Sequence, residues 1–367
     1  MNPSSSLCWM LFCRGNFMNI IHFGPQDIAT SWQRIQAFRD LGHNVDIVYY
    51  SRMGERLSLP RRVYRALRRR IGCPAEQCAE NRTLLEMAIS VQPDIIFIEK
   101  GLTLRPSTLE RLKQVCPRTV LVCYSLDDMM NPANQSRYYL KCLPLYDIHF
   151  TTKTYNIDEL LACGARRVEL TGNAYSPCVH RPITCSTQER EAYGSEVSFV
   201  GGYEYDRAQT LNYLADAGVE VRVWGNNWHK FINPHPRLRL EKRPAYGEDY
   251  GKVVCASKIL LGFLRKVNRD VETTRSMEIP AYGAFLLAER TVAQQNLFKE
   301  GKEAAYFGDD RELLEKIHYY LKNEEQRRAI AAAGRQRCLT SGYSYNDRLR
   351  DLLEVCTDIA KEKDGGR

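Results

Sequence analysis

The amino-acid sequence predicts an α/β protein made of two doubly wound domains in succession. Two observations carry this. From Asn19 onward, short apolar runs alternate with helical patterns, the arrangement that builds a parallel sheet covered by helices on both faces. The alternation lapses over residues 176–195, where Pro, Ser and Thr occur without periodicity, and resumes at Val197. With 367 residues in all, each half is long enough to bury its own core. The expected division is a loose extension over 1–17, a first domain over 18–175, a linker over 176–195, a second domain over 196–342, and a crossover helix with tail over 343–367.

Taken in order, Asn19-Ile20-Ile21-His22-Phe23-Gly24 reads as a buried strand ending in Gly. A helical pattern follows through Trp32, Ile35, Phe38 and Leu41, then a strand over 45–50. A helix over 76–91 leads to a strand over 94–99, and a helix over 108–115 to a strand over 119–124. A strand over 147–152, a helix over 157–163 and a strand over 168–170 close the first domain. The second opens with a strand over 197–200 and Gly201-Gly202, and Asp206 can cap the next helix, which contains Arg207, Leu211 and Leu214. Strands over 219–224, 259–263, 284–288 and 304–307 follow. Helices over 309–322, 324–338 and 345–359 finish the chain, the last long enough to return to the first domain.

Composition excludes several function classes. A hydrophobic share of 44% with 26% charged residues is that of a soluble globular chain. No run approaches the ~20 apolar residues of a membrane span, and the stretch 7–13 lacks the basic flank and cleavage site of a signal peptide. Thirteen cysteines without a Cys-x-x-Cys pair read as reduced thiols, which places the chain in the cytoplasm. The net charge of +8 is concentrated: residues 52–70 hold eight arginines against Glu55 alone. Pro60 can open a helix there, with Val63, Leu67 and Ile71 on one face. Such a helix is either a solvated surface element or a peripheral contact with an anionic membrane at its inner face, or it holds a phosphorylated acceptor. No recognition motif or aromatic interleaving accompanies the arginines, so nucleic acid is set aside.

The stretch 269–289 carries the chemistry. Thr273 and Thr274 can cap a short helix whose free amides, with the dipole behind them, seat a phosphate. Arg275 in the same turn can add a bidentate, permanently charged contact. Glu278 can accept the two hydroxyls of a ribose. Gly283 lets the chain turn into the strand that follows. The plainer reading is that Arg275 and Glu278, three residues apart, form an ordinary helix-surface ion pair.

From Arg275 to about Arg350 the sequence resembles the glycosyltransferase group 1 domain of the spore maturation protein CgeB family. The resemblance lies in Arg275-Ser276-Met277-Glu278-Ile279-Pro280-Ala281-Tyr282-Gly283, in Leu286-Leu287-Ala288-Glu289-Arg290-Thr291, in Leu297-Phe298-Lys299-Glu300-Gly301-Lys302-Glu303 and in Glu312-Leu313-Leu314-Glu315-Lys316-Ile317. It implies the GT-B architecture, two Rossmann-like domains facing across a cleft with the last helix crossing back. It also implies that Glu278 binds the donor ribose and that Asp270, seven residues before it in the gap, lies near the transferred sugar. Related retaining enzymes carry Glu at the position of Asp270, one methylene longer. The segment Asn173-Ala174-Tyr175-Ser176-Pro177 with His180 is similar to the family's interdomain crossing, although Asp is common there at the position of Ser176.

Open α/β sheets bind ligands at the C-terminal ends of their strands, which selects the remaining candidates. On the donor side these are Gly201, Gly202 and Arg207, with Lys258 and Arg265 as weaker ones. Asp127 and Asp128 follow another strand end and can orient or deprotonate an acceptor hydroxyl, or simply cap a turn. Gly24, Gln26 and Asp27 can touch acceptor. His22 and His149 lie within strands and read as buried structure. Gly-x-Gly-x-x-Gly is missing after the first strand, which argues against a dinucleotide cofactor. No Asp-x-Asp is present, so arginine and helix start are expected to meet the leaving diphosphate without metal. The reading is a metal-independent glycosyltransferase, slightly favoured as retaining, with a nucleotide-sugar donor and a sugar, lipid-linked or protein acceptor. Two alternatives stand: a nucleotide-sugar epimerase of the same build, and a non-catalytic module that docks through residues 52–70.

Overall fold

The computed structural model describes residues 17–26, 29–51 and 58–365. Most of the extension expected before Met18, Asp27, and Arg52, Glu55 and Arg56 of the basic segment lie outside the described residues. The first sheet holds β1 (Asn19–Gly24), β2 (Asn44–Tyr49), β3 (Ile95–Glu99), β4 (Val120–Ser125), β5 (Ile148–Thr151) and β6 (Val168–Leu170). The second holds β7 (Val197–Val200), β8 (Val221–Trp224), β9 (Leu238–Leu240), β10 (Ile259–Gly262), β11 (Leu286–Glu289) and β12 (Ala305–Phe307). Every pairing is parallel. The spatial orders are β2-β1-β3-β4-β5-β6 and β12-β11-β10-β7-β8-β9. In the first sheet His22 lies opposite Ile47 and Phe97; in the second Leu261 lies opposite Phe199 and Leu287.

The inner strands β3, β4, β7 and β10 are buried on both faces, which is why their sequences are largely apolar runs. Each sheet therefore separates two core layers. In the second lobe Phe199, Leu211, Leu214, Leu261 and Leu313 form one layer, and Trp224, Leu260, Met277, Leu286 and Tyr306 the other. In the first lobe one layer gathers Phe23, Ile96, Leu109 and Leu121. The other gathers Ile35, Phe38, Phe97 and Val122, and there the chain's last helix takes part. That helix (Tyr345–Gly365) inserts Leu349, Leu352, Leu353, Cys356 and Ile359 into the first lobe's core. Each large aliphatic buried this way contributes about 1.5–3 kcal/mol, so the helix belongs energetically to the lobe it returns to.

Several elements within the second half were not foreseen. Thr187–Tyr193 forms a helix inside the expected linker, started by a reciprocal Ser186–Glu189 capping box. Gly247–Ala256 is a second helix, and β9 adds a three-residue edge strand. Asp206 does not cap its helix: Glu204 takes the cap position, and Asp206 falls in the first turn.

Candidate functional site

Both sheets reverse strand order at one place, between β1 and β3 in the first and between β7 and β10 in the second. At such a reversal the crossovers leave to opposite faces, and a crevice opens beyond the carboxyl ends of the strands. Here the two crevices face each other and merge into one cleft. Pro25, Glu99, Lys100, Tyr124 and Asp127 line it from the first lobe; Gly201, Gly202, Arg207, Arg265 and Thr273 to Arg275 line it from the second.

On the second wall the backbone approaches closely because side chains are missing. Gly201 donates its amide to Trp224 O at 2.8 Å and accepts from Trp228 Nε1 at 2.8 Å. A Cβ on neighbouring Gly225 would lie 1.9 Å from Gly201 O, so this tight double turn admits only glycine there. Arg207 is buried, reaches back to Gly202 O at 3.3 Å and lies beside Glu204 at 3.5 Å. Its Nε has no hydrogen-bond partner among the described residues, and burial pulls its pKa down. Arg265 pairs with Glu204 at 3.0 Å.

The helix Thr274–Ala281 points its N-terminus into the cleft, with Thr273 at the N-cap and the Thr273 amide donating to Ser276 Oγ at 3.3 Å. Gly283 ends the turn after it with φ +76°. Arg275 and Glu278 do form the ion pair of the plainer reading, but not out in solvent. Arg275 lies on the cleft wall, its guanidinium 4.1 Å from the centre of the Tyr250 ring. Glu278 is buried behind it and does not line the cleft. Ser176 N donates to His180 Nδ1 at 2.8 Å, leaving Nε2 to face Glu278 Oε1 at 3.8 Å. Burial opposes ionisation of Glu278, yet Arg275 and His180 outweigh it and hold its carboxyl below the usual range.

On the first wall a buried cluster joins β1, β3 and the helix Ala29–Asp40. Glu99 Oε1 accepts from Arg34 Nε at 2.7 Å and meets His22 Nε2 at 2.9 Å. Burial opposes the Glu99 charge, but Arg34 and His22 hold its carboxyl well below the usual carboxylate range. Arg34 also stacks near Tyr124 and Tyr345, at 5.0 and 5.6 Å. Lys100 adopts φ +60°, a left-handed conformation that costs a non-glycine residue about 1 kcal/mol, and pairs with Asp127 on the cleft surface.

The lobes are clasped by residues just before the Thr274–Ala281 helix. Asp270, in the cleft, accepts from Lys153 Nζ at 2.6 Å, and both side chains are almost fully buried. Arg269, held at φ +48°, grips Asp128 with two bonds of 2.6 and 2.9 Å and Glu159 with two of 2.9 Å. Asn268 Oδ1 accepts from the Asp128 amide at 3.0 Å, and Tyr155 donates to Asn268 O at 2.8 Å. Burial alone would raise the Asp128 pKa, but the bonds from Arg269 and Asn156 bring it below its ordinary value. Asp128 is therefore a lobe-to-lobe fastener and not an acceptor-side acid.

Other expected positions are revised as well. Lys258 precedes β10 and so lies at the opposite end of the sheet, paired with Glu196 at 2.6 Å. Gly24 is packed under the first wall, where a Cβ would meet His22 Cε1 at 2.5 Å, and Gln26 N donates to Ser51 Oγ at 3.3 Å. Neither lines the cleft, whereas Pro25 between them does. His22 and His149 are buried as expected. Lining residues that the sequence left unmarked are Arg34, Glu99, Lys100, Lys153 and Glu272. Glu272 accepts from Asn173 Nδ2 at 3.0 Å, and burial pushes its pKa up. A charged residue closing an apolar strand, as Glu99 does after 95–98, was the available signal. Among the described residues no three His, Cys, Asp or Glu side chains converge as metal ligands.

Residues 207–354 match the family model described as glycosyl transferase-like. Among solved structures, the chain is similar to Anabaena HepE in complex with UDP (11% identity, 93% of this chain and 100% of that one, TM-score 0.59). It is also similar to sucrose-phosphate synthase from Thermosynechococcus elongatus (10%, 93% and 98%, 0.60) and to a glycosyltransferase from Rickettsia africae (12%, 94% and 99%, 0.62). No curated protein matches the chain. The two-lobed architecture is thus the GT-B fold of these glycosyltransferases.

Proposed function

We propose that the protein transfers a sugar from a nucleoside-diphosphate sugar to an acceptor hydroxyl bound on the first lobe. One observation carries the reading. Arg275, on the first turn of a helix that points its amides into the cleft, stands on the same wall as Gly201, Gly202 and Arg207 at the strand-order reversal. That combination fits a diphosphate, with backbone amides, dipole and two guanidinium groups directed at one anion. On donor binding Arg275 swings from Glu278 to phosphate, which uncovers the Glu278 carboxylate behind it so that it can accept the ribose hydroxyls. The leaving diphosphate's charge is met by Arg207 and Arg275, so no metal is called for. UDP is the first nucleotide to test, because the HepE neighbour was solved with it.

Asp270, held by Lys153, borders the space for the transferred sugar, and Asp127 orients the acceptor hydroxyl. The resemblance of Asp270 and Glu278 to the paired acids of related retaining enzymes supports retention of anomeric configuration; proton NMR of the product anomer decides it. The closer kinship to the CgeB-like group rests on the resemblance over Arg275–Gly283, Leu286–Thr291, Leu297–Glu303 and Glu312–Ile317.

The decisive measurement is thermal unfolding with UDP-, GDP-, ADP- and TDP-sugars, since a ligand that binds only the folded state raises the melting point by mass action. A rise with one nucleotide, together with acceptor-dependent release of the diphosphate, is expected. An isomerised nucleotide-sugar formed without acceptor would instead make the protein an epimerase, and no response to any donor would leave it a binding module.

A further inference from the structure

The helix Leu59–Arg70 is amphipathic in reverse. In an ordinary surface helix the apolar stripe packs on the core and the charges face water. Here Val63 and Leu67 are 51 and 59% exposed, Leu59, Tyr64 and the following Ile71 are exposed beside them, and no residue of the helix is buried. The least exposed side chains are Arg65 and Arg68, and Arg68 donates to Tyr138 OH at 2.7 Å. Six arginines (61, 62, 65, 68, 69 and 70) share these twelve residues with no acid. The helix follows β2, whose next residue Tyr50 lines the cleft, and Gly72 beyond it accepts from the Arg137 amide at 2.6 Å. Both attachments belong to the carboxyl-end side of the first sheet, the side of the cleft.

We propose that this helix docks the protein on an anionic phospholipid bilayer. Leu59, Val63, Leu67 and Ile71 enter the boundary between headgroups and acyl chains, and the flanking Arg62, Arg69 and Arg70 stay at the lipid phosphates. The occupant follows from what each candidate would satisfy. A soluble polyanion would neutralise the arginines and leave the apolar stripe in water; an apolar partner helix would cover the stripe and bring no countercharge. An anionic bilayer does both. Contact is peripheral, since among the described residues no helix is long and apolar enough to cross a membrane. The inference rests on the helix alone, independent of the sugar-transfer reading.

The test is co-sedimentation of the full chain with vesicles of equal parts phosphatidylglycerol and phosphatidylcholine, and with vesicles of phosphatidylcholine alone. Binding to the anionic vesicles, weakened by added sodium chloride, is expected. Each arginine near such a surface is worth about a fivefold change in partition. Arg62→Gln, Arg69→Gln and Arg70→Gln together should therefore lower binding roughly a hundredfold. Val63→Asp with Leu67→Asp should lower it at least about tenfold while leaving melting and donor affinity unchanged, because both side chains already face solvent. No binding to anionic vesicles, or undiminished binding of the Val63→Asp/Leu67→Asp protein, overturns the proposal. Complete displacement by pyrophosphate would do the same and mark the arginines as a soluble-anion site.

Discussion

The two walls of the cleft are built alike and charged differently. Both lie at a strand-order reversal, yet the second lobe offers arginines, glycine amides and a helix start, a surface suited to an anion. The first lobe matches its cations one to one, Arg34 with Glu99 and Lys100 with Asp127, whereas on the second wall Arg207 and Arg265 share Glu204. One fold thus serves two tasks, and the side chains at the strand ends, not the topology, decide which wall takes the donor.

The sharpest way to break this division is on the acceptor wall. Asp127→Asn keeps the side chain's shape and removes its charge. It should lower the transfer rate about 10²–10⁴-fold, with the affinity for UDP in calorimetry unchanged. A matching loss of UDP affinity would mean that the first lobe holds donor too. The reverse change is Arg275→Ala, which removes a charge-assisted contact worth about 1.5–3 kcal/mol and should weaken UDP binding roughly tenfold to a hundredfold. The same variant leaves Glu278 buried without its main partner, so urea unfolding should show lost stability. Adding Glu278→Gln should restore most of it.

A last test separates the lobes by pH. His149 on β5 is buried, and burial brings its pKa down to about 3, so it stays neutral in the fold. Unfolded, it titrates near 6.5. The unfolded state therefore binds the extra proton between those values. Stability is fully present above pH 6.5 and is lost as pH falls, by up to about 1.4 kcal/mol per unit, until about pH 3. His149→Phe should flatten the acid limb of the melting-temperature profile. A profile unchanged from wild type would place the acid-sensitive group elsewhere.

Legibility from sequence followed burial. Strands such as 95–99 and 120–125 were visible because both faces are covered and all but the closing Glu99 and Ser125 form an unbroken, largely apolar run. β9 was not, since Leu238–Leu240 is a three-residue edge strand with an exposed Arg239 and prolines before it. The helix Thr187–Tyr193 escaped because it buries no side chain and so has no apolar period. In the site, Arg275 and Gly201 could be found from local chemistry. Lys153 could not, because its meaning lies in a partner far along the chain, Asp270, and Glu99 showed only as a charge closing an apolar strand, without its partner Arg34. Asp128 shows the converse error: a strand-end acid looked available until Arg269, 141 residues on, was seen to occupy it.

The pairing of Tyr175 with Ser344 has a mechanical consequence. Tyr175 N bonds Tyr343 O at 3.1 Å and Tyr345 N bonds Tyr175 O at 2.9 Å, so the outgoing and returning chain passages run side by side. Two lobes tied at one spot can part only by swinging about it, and Lys153–Asp270 and Arg269–Asp128 must then let go in the same stroke. Opening is gated like a hasp beside a hinge, and added salt should loosen the half-exposed Arg269 end of that hasp while leaving the buried Lys153–Asp270 pair nearly untouched.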